Sequence, residues 1–288
     1  MAQTTRRQML VTAGLSLAAF GAGMQIKGQS VSNERNLPNF SGTPKEITES
    51  DTGWKYLPVD PQKAADDSYI YFADGACHYS SFRAIVTNVA KALLATGNKD
   101  DATLAEHYLA FPFYMMVYGQ AGLAFYGSLC GAINGCAAAI SVFVPDRTDK
   151  FALIQDINVY HEETPLPIYV PKDDKYPGKM PPTVAKSILC HPTLAQWAKG
   201  SGYTFESPAR AERCNRLTCD MVIKTVKLLN EYHEVHPMKV DNHMSLSSET
   251  QSCVQCHSPA QGRFDALTKM SCTACHTQPP TNELCPRK

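Results

Sequence analysis

Cys253-Val254-Gln255-Cys256-His257 and Cys272-Thr273-Ala274-Cys275-His276 are the stretches whose residue types and spacing point most directly to chemistry. Two thiols three positions apart can add across the two vinyl groups of a porphyrin. The histidine that follows is then held beneath the iron as its proximal ligand. Two covalent c-type haems are therefore expected, attached through Cys253, Cys256, Cys272 and Cys275, with His257 and His276 on the irons. A zinc ribbon competes with this reading, because two CxxC pairs about fifteen residues apart also suit tetrahedral zinc. Four thiolates would complete that site and leave both histidines unused. Histidine makes up 9 of 288 residues, so its chance appearance after both pairs is roughly a one-in-a-thousand event, which favours haem. Val-Gln and Thr-Ala also lack the Gly and aromatic residues usual in zinc knuckles.

Four of the eleven cysteines are used by these motifs, and seven remain. Taken singly, each of the seven is more often a small buried hydrophobe than a ligand. Cys77, Cys130, Cys190 and Cys214 are different in context. Each lies at an expected helix end, beside glycines, or among Arg210, Arg213 and Arg216, where thiolate charge is stabilised. Brought together by a helical fold, the four would suit an iron–sulfur cluster. Cys136, Cys219 and Cys285 are read as structural or free thiols. For the sixth position of each haem iron, His243 is the first choice, in a polar segment upstream of the first motif, and His191 the second, fixed by Pro192. His78, His233, His236 and Met244 rank lower, and His107 and His161 are expected to face solvent.

The elements that must position these groups are mainly helical. Residues 1–30 carry Thr5-Arg6-Arg7-Gln8-Met9-Leu10 and then an apolar run to Met24, a twin-arginine signal segment that sends the chain to the periplasm. An uncleaved anchor is the alternative. That route carries folded proteins, which suits a cluster inserted before export and haems attached after it. Val31 to Gln62 reads as an extended arm broken by prolines. A helix follows, marked by Phe82, Val86, Val89 and Leu93, with Cys77 at or just before its first turn and Gly97 at its stop. Phe111 to Val144 holds no charged side chain. Its Pro112, glycines and Asn134 favour a buried central helix over a membrane hairpin, with Gly127, Gly131 and Gly135 baring one face for close approach.

Further on, Thr183 to Leu189 is expected to form a short helix ending at Cys190, and Thr193 to Lys199 another. Pro208 opens a basic helix that continues, or restarts, through Val222, Val226, Leu229 and Tyr232 as an amphipathic face. Residues 31–240 are thus expected to be a helical domain and 241–288 a loop-rich segment with haem as its core. Lys+Arg 27 against Asp+Glu 27 favours neither nucleic acid nor an anionic membrane surface as a partner.

The chain resembles the split-Soret cytochrome c family, dihaem proteins of anaerobic bacteria. The likeness rests on Cys77, Cys130-Gly131-Ala132-Ile133-Asn134-Gly135, Leu189-Cys190-His191, Arg213-Cys214-Asn215-Arg216-Leu217 and the two CxxCH units. It implies a mainly helical protomer with two bis-histidine haems at one end and an iron–sulfur centre, [2Fe–2S] among its forms, on the scattered cysteines. It also implies a homodimer that brings haems together, with a haem ligand crossing between protomers. The expected function is electron transfer between redox partner proteins. A metal-centre reductase acting on a small molecule at an open haem or at the cluster is the alternative, since the sequence holds neither a nucleotide-binding glycine loop nor a nucleophile–base constellation.

Overall fold

The computed structural model describes residues 53–174, 176, 180–234, 244–257, 269–274 and 276. Asp60 starts the first helix: its carboxylate accepts from the N–H groups of Gln62 (2.8 Å) and Lys63 (3.2 Å), and Pro61 takes the first helical position. α1 (Pro61–Ala95) is broken at Gly75 and at Ala76, whose φ of 60° and ψ of −162° are not helical. The chain restarts at Cys77, so this thiol does open a helix. The turns from Pro61 to Asp74 fall partly in what reads as an extended arm, despite the Asp-Pro start signal. Asn98 caps α2 (Lys99–Leu109), which sequence periodicity did not reveal.

The uncharged stretch does not form one helix. It makes a 3-10 helix (Phe113–Gly119), a loop with Ala121, Leu123, Ala124 and Phe125 at positive φ, and then α3 (Gly131–Phe143). Only α3 fits the buried central helix. Gly131 and Gly135 do admit α1 closely, because a Cβ on Gly135 would collide with Ser81 Oγ and the His78 carbonyl oxygen. Gly127 precedes the helix, at φ +72°, and its missing side chain leaves room for His191. Among the described residues no helix is long and apolar enough to cross a membrane.

Asp146 accepts from the Asp149 N–H (2.9 Å) and starts α4 (Arg147–Glu163), a helix absent from the sequence reading. Two short strands, β1 (Pro165–Leu166) and β2 (Thr183–Val184), then pair antiparallel. Thr183–Leu189 is therefore not a helix. Cys190 begins α5 (Cys190–Ser201) instead of following one, and Gly202 closes it with a left-handed C-cap. α6 (Pro208–Glu234) carries the expected amphipathic face and runs as one helix without a restart. The mainly helical class holds throughout. Phe82, Ile85 and Val89 of α1 pack with Ile133 and Ile140 of α3 and with Val222, Val226 and Leu229 of α6 in one buried core.

α7 (Ser248–Cys256) carries the first CxxCH unit on its last turn, capped by Ser247. The C-terminal segment is anchored on α4 by polar contacts. Met244 N donates to Asp156 Oδ1 (2.8 Å), Ser271 N to Glu162 Oε1 (3.0 Å), and Lys269 Nζ to Gln155 Oε1 (2.7 Å). With few apolar residues of its own, this segment takes its position from α4.

Candidate metal centres

Backbone pairing brings the first two distant cysteines together. Cys130 N donates to Ile188 O (2.9 Å), Cys190 N to Ser128 O (2.7 Å) and His191 N to Gly127 O (3.0 Å). This short antiparallel ladder, centred on Leu129 and Leu189, sets Cys130 just ahead of α3 and Cys190 at the start of α5. Cys77 comes from the restart of α1, and a Cβ on Gly131 would collide with its sulfur. Cys214 comes from α6. The four thiols line one cavity of about 100 Å³, together with Arg213, Phe125 and Leu194.

The four behave as one electrostatic group. Burial raises the Cys77 thiol to about 12, and the neighbouring Cys130 and Cys214 add to the shift. Burial likewise raises Cys190, with contributions from Cys130, Cys214 and Cys77. Opposing this, the N–H groups of Ala121 and His78 point at the Cys77 sulfur, and those of Ala132 and Ile133, in the first turn of α3, at Cys130. Several thiolates packed this closely need a cation, and a thiophilic metal would displace their protons. Among the described residues no group of three or more His, Cys, Asp or Glu side chains is placed to hold a metal ion. The chemistry of four thiols lining one cavity is that of iron–sulfur ligands. Backbone strain gathers here as well. Ala76 lies in a region of φ and ψ that is essentially glycine-only, and Ala121 to Phe125 forms the adjacent left-handed loop.

The CxxCH units form the second centre. His257 N donates to Cys253 O and His276 N to Cys272 O, both at 2.9 Å, so the same backbone bond closes each unit. Cys272 Sγ donates to Met270 O (3.8 Å), and its thiol is raised by burial and then by the charge of the neighbouring Cys253. Thr273 Oγ1 donates to Glu249 Oε2 (3.2 Å), tying the second unit to α7. A groove of about 340 Å³ runs beside this segment between Phe151, Ile154 and Val159 of α4 and Leu246 and Met270. Paired cysteines, following histidines and an apolar groove fit covalent haem.

No family model matches the chain. Over 239 residues it is 30% identical to the split-Soret cytochrome c of Desulfovibrio desulfuricans, an alignment covering 78% of each protein. The chain belongs to the split-Soret cytochrome c family. The solved structure of that cytochrome, described for a novel iron centre, matches 80% of this chain and 93% of its own, with a TM-score of 0.67 and 27% identity. This split-Soret family member is accordingly a c-type cytochrome with an electron-transfer role.

Within this split-Soret fold the histidines part company. His191 is exposed beside the cysteine cavity, its ring parallel to that of Phe205. His78 is buried behind Cys77, edge-on to Tyr118, and burial lowers it to about 4. His233 stacks on Tyr56 and meets the Phe143 carbonyl oxygen (3.1 Å), a packing role. His107 faces solvent as expected. His161 does not: it is fully buried, lowered to about 3 by burial and then by Arg213. The last turn of α4 packs inward where its polar sequence suggests a wet surface. His243, His236, Cys275 and Cys285, with the side chain of Cys256, lie outside the described residues. Cys136 is buried with Ser81 and Thr225 as neighbours, and Cys219 Sγ donates to Ala65 O (3.3 Å).

Two more residues bear on these sites, of which the sequence marks only Arg213. Glu162 reaches the second haem motif through Ser271, and Arg213 enters the cysteine cavity. The Arg-x-x-Arg-x-x-Arg spacing around Cys214 was visible in the sequence; which arginine turns inward was not.

Proposed function

We propose that this protein is an exported electron carrier with two bis-histidine c-type haems per protomer and an iron–sulfur centre, working as a homodimer. One observation carries the reading: Thr273 of the second CxxCH unit is bonded to Glu249 of the helix that bears the first (3.2 Å), and the Cys272 thiol feels Cys253, so haems attached there would lie within short tunnelling reach of each other. When bound, the haems would supply one-electron redox chemistry at iron without an open coordination site. The chain's own contribution is positional. α4 holds the segment through Asp156 and Glu162, and the same backbone bond precedes His257 and His276 in the two units. The cavity lined by Cys77, Cys130, Cys190 and Cys214 supports the iron–sulfur centre, and the iron centre of the Desulfovibrio cytochrome is consistent with it. Export to the periplasm rests on the twin-arginine segment, and the homodimer on the family likeness.

The visible spectrum of the purified protein, oxidised and then dithionite-reduced, tests this. Low-spin c-type bands with a split or broadened Soret, and a haem-to-protein ratio of two, are expected. A colourless protein would overturn the reading, and ready binding of carbon monoxide would move it to the reductase class.

His243 is the proposed sixth ligand of one haem. Met244, the next residue, is bonded to α4 through Asp156, the helix that also anchors Ser271. His243→Ala is expected to turn one of the two haems high-spin. An unchanged low-spin spectrum would assign that ligand elsewhere.

A further inference from the structure

Three arginines flank Cys214, and their surroundings differ. Arg216 is fully engaged, with Nε 2.6 Å from Glu212 Oε1 and Nη2 2.6 Å from Asp174 Oδ1. Arg210 lines the rim of the cysteine cavity and is half-buried. Arg213 is only 1% exposed, and its Nε and Nη2 have no hydrogen-bond partner among the described residues. It lines the cavity that holds the four thiols.

A guanidinium stays protonated at every accessible pH, and burying one without a counter-charge costs several kcal/mol. Among the described residues, the nearby ionisable groups make no hydrogen bond to Nε or Nη2 of Arg213. Asp220, which feels Arg213, spends its two carboxylate oxygens on the N–H groups of Ile168 (2.8 Å) and Tyr169 (2.9 Å). His161 is buried on the other side and contributes no negative charge. Protonated thiols contribute none either. Four cysteines bound to iron do, because a cluster held by four thiolates is an anion. The orphaned donors and the thiol-lined cavity are therefore complementary.

We infer that Arg213 is the buried counter-charge of the iron–sulfur centre, a positioning and tuning residue that raises the centre's reduction potential. The inference rests on the four-cysteine reading above. Reduction adds one electron to the centre and no proton to Arg213, which is already cationic. A fixed positive charge stabilises the more negative, reduced form, and it does so strongly because the site is buried.

The test is a potentiometric titration of the haem-loaded full-length protein, following the non-haem signal by electron paramagnetic resonance and the haems by absorbance. Arg213→Gln is expected to shift the non-haem midpoint downward and leave both haem midpoints in place. Arg213→Lys keeps the charge and is expected to stay close to the wild type. If Gln abolishes the centre while Lys retains it, measured as non-haem iron and acid-labile sulfide, the counter-charge role also stands. Equal shifts in both variants, loss of the centre from both, or no shift in either would overturn it. If the wild type itself holds no iron or sulfide beyond its haems, the four-cysteine reading fails first and the role of Arg213 falls with it.

Discussion

Cys190→Ala is expected to remove the non-haem iron and acid-labile sulfide from the purified protein while leaving both haems attached. Cys190 is the first residue of α5, and its backbone N–H is bonded to Ser128 O beside Cys130. That backbone bond survives the substitution, so the cavity keeps its walls and loses one donor. Even outer-sphere partners of a metal are typically worth about 10- to 100-fold in affinity, and losing a direct ligand should exceed that. Cys136→Ala serves as the control. Its thiol is also buried, but it is not among the groups that line the cavity, so the centre should persist. Iron and sulfide analysis of the two variants separates ligand from bystander. Equal retention in both would rule Cys190 out as a ligand.

The second large effect is expected at Gly135. An added methyl group would meet Ser81 Oγ and the His78 carbonyl oxygen, and the latter is backbone that cannot rotate away. α1 and α3 must separate to admit it. Overpacking of this kind costs about 1–3 kcal/mol, and the rigid partner places Gly135→Ala near the upper end. Thermal unfolding should drop by roughly 5 °C for a chain of this size. Gly97→Ala is the comparison: it has open space around it but a φ of +71°, so about 1 kcal/mol is expected from backbone strain alone. Since His78 adjoins Cys77, Gly135→Ala should also weaken the cysteine site. A melting curve matching the wild type would contradict the close approach of the two helices.

How far these features were legible depended on whether their cause was local. The CxxCH units are plain in the sequence because their pattern is short-range, written within five residues. α6 was plain because Val222, Val226 and Leu229 repeat at the helical period along one buried face. α4 and the first half of α1 were missed although Asp146 and Asp60 cap them, for their buried stripes are short and mixed with charge. The stretch before Cys190 was misread for a different reason. Ile188 and Cys190 are held by bonds to the 127–130 strand, and no nearby residue signals that pairing.

The sequence by itself determined the chemistry on offer: two CxxCH units, a set of further thiols, and a chain that folds mainly as helices. Covalent spacing and helical periodicity suffice for that, since both act between near neighbours. Only the tertiary structure decided which thiols meet, which arginine turns inward unpaired, and that α4 carries the haem segment. Those outcomes depend on how α1, α3, α5 and α6 cross, and the crossing is set by long-range packing. Where the restart of α1 passes α3 over Gly131 and Gly135, a cavity opens that Cys77, Cys130, Cys190, Cys214 and Arg213 share.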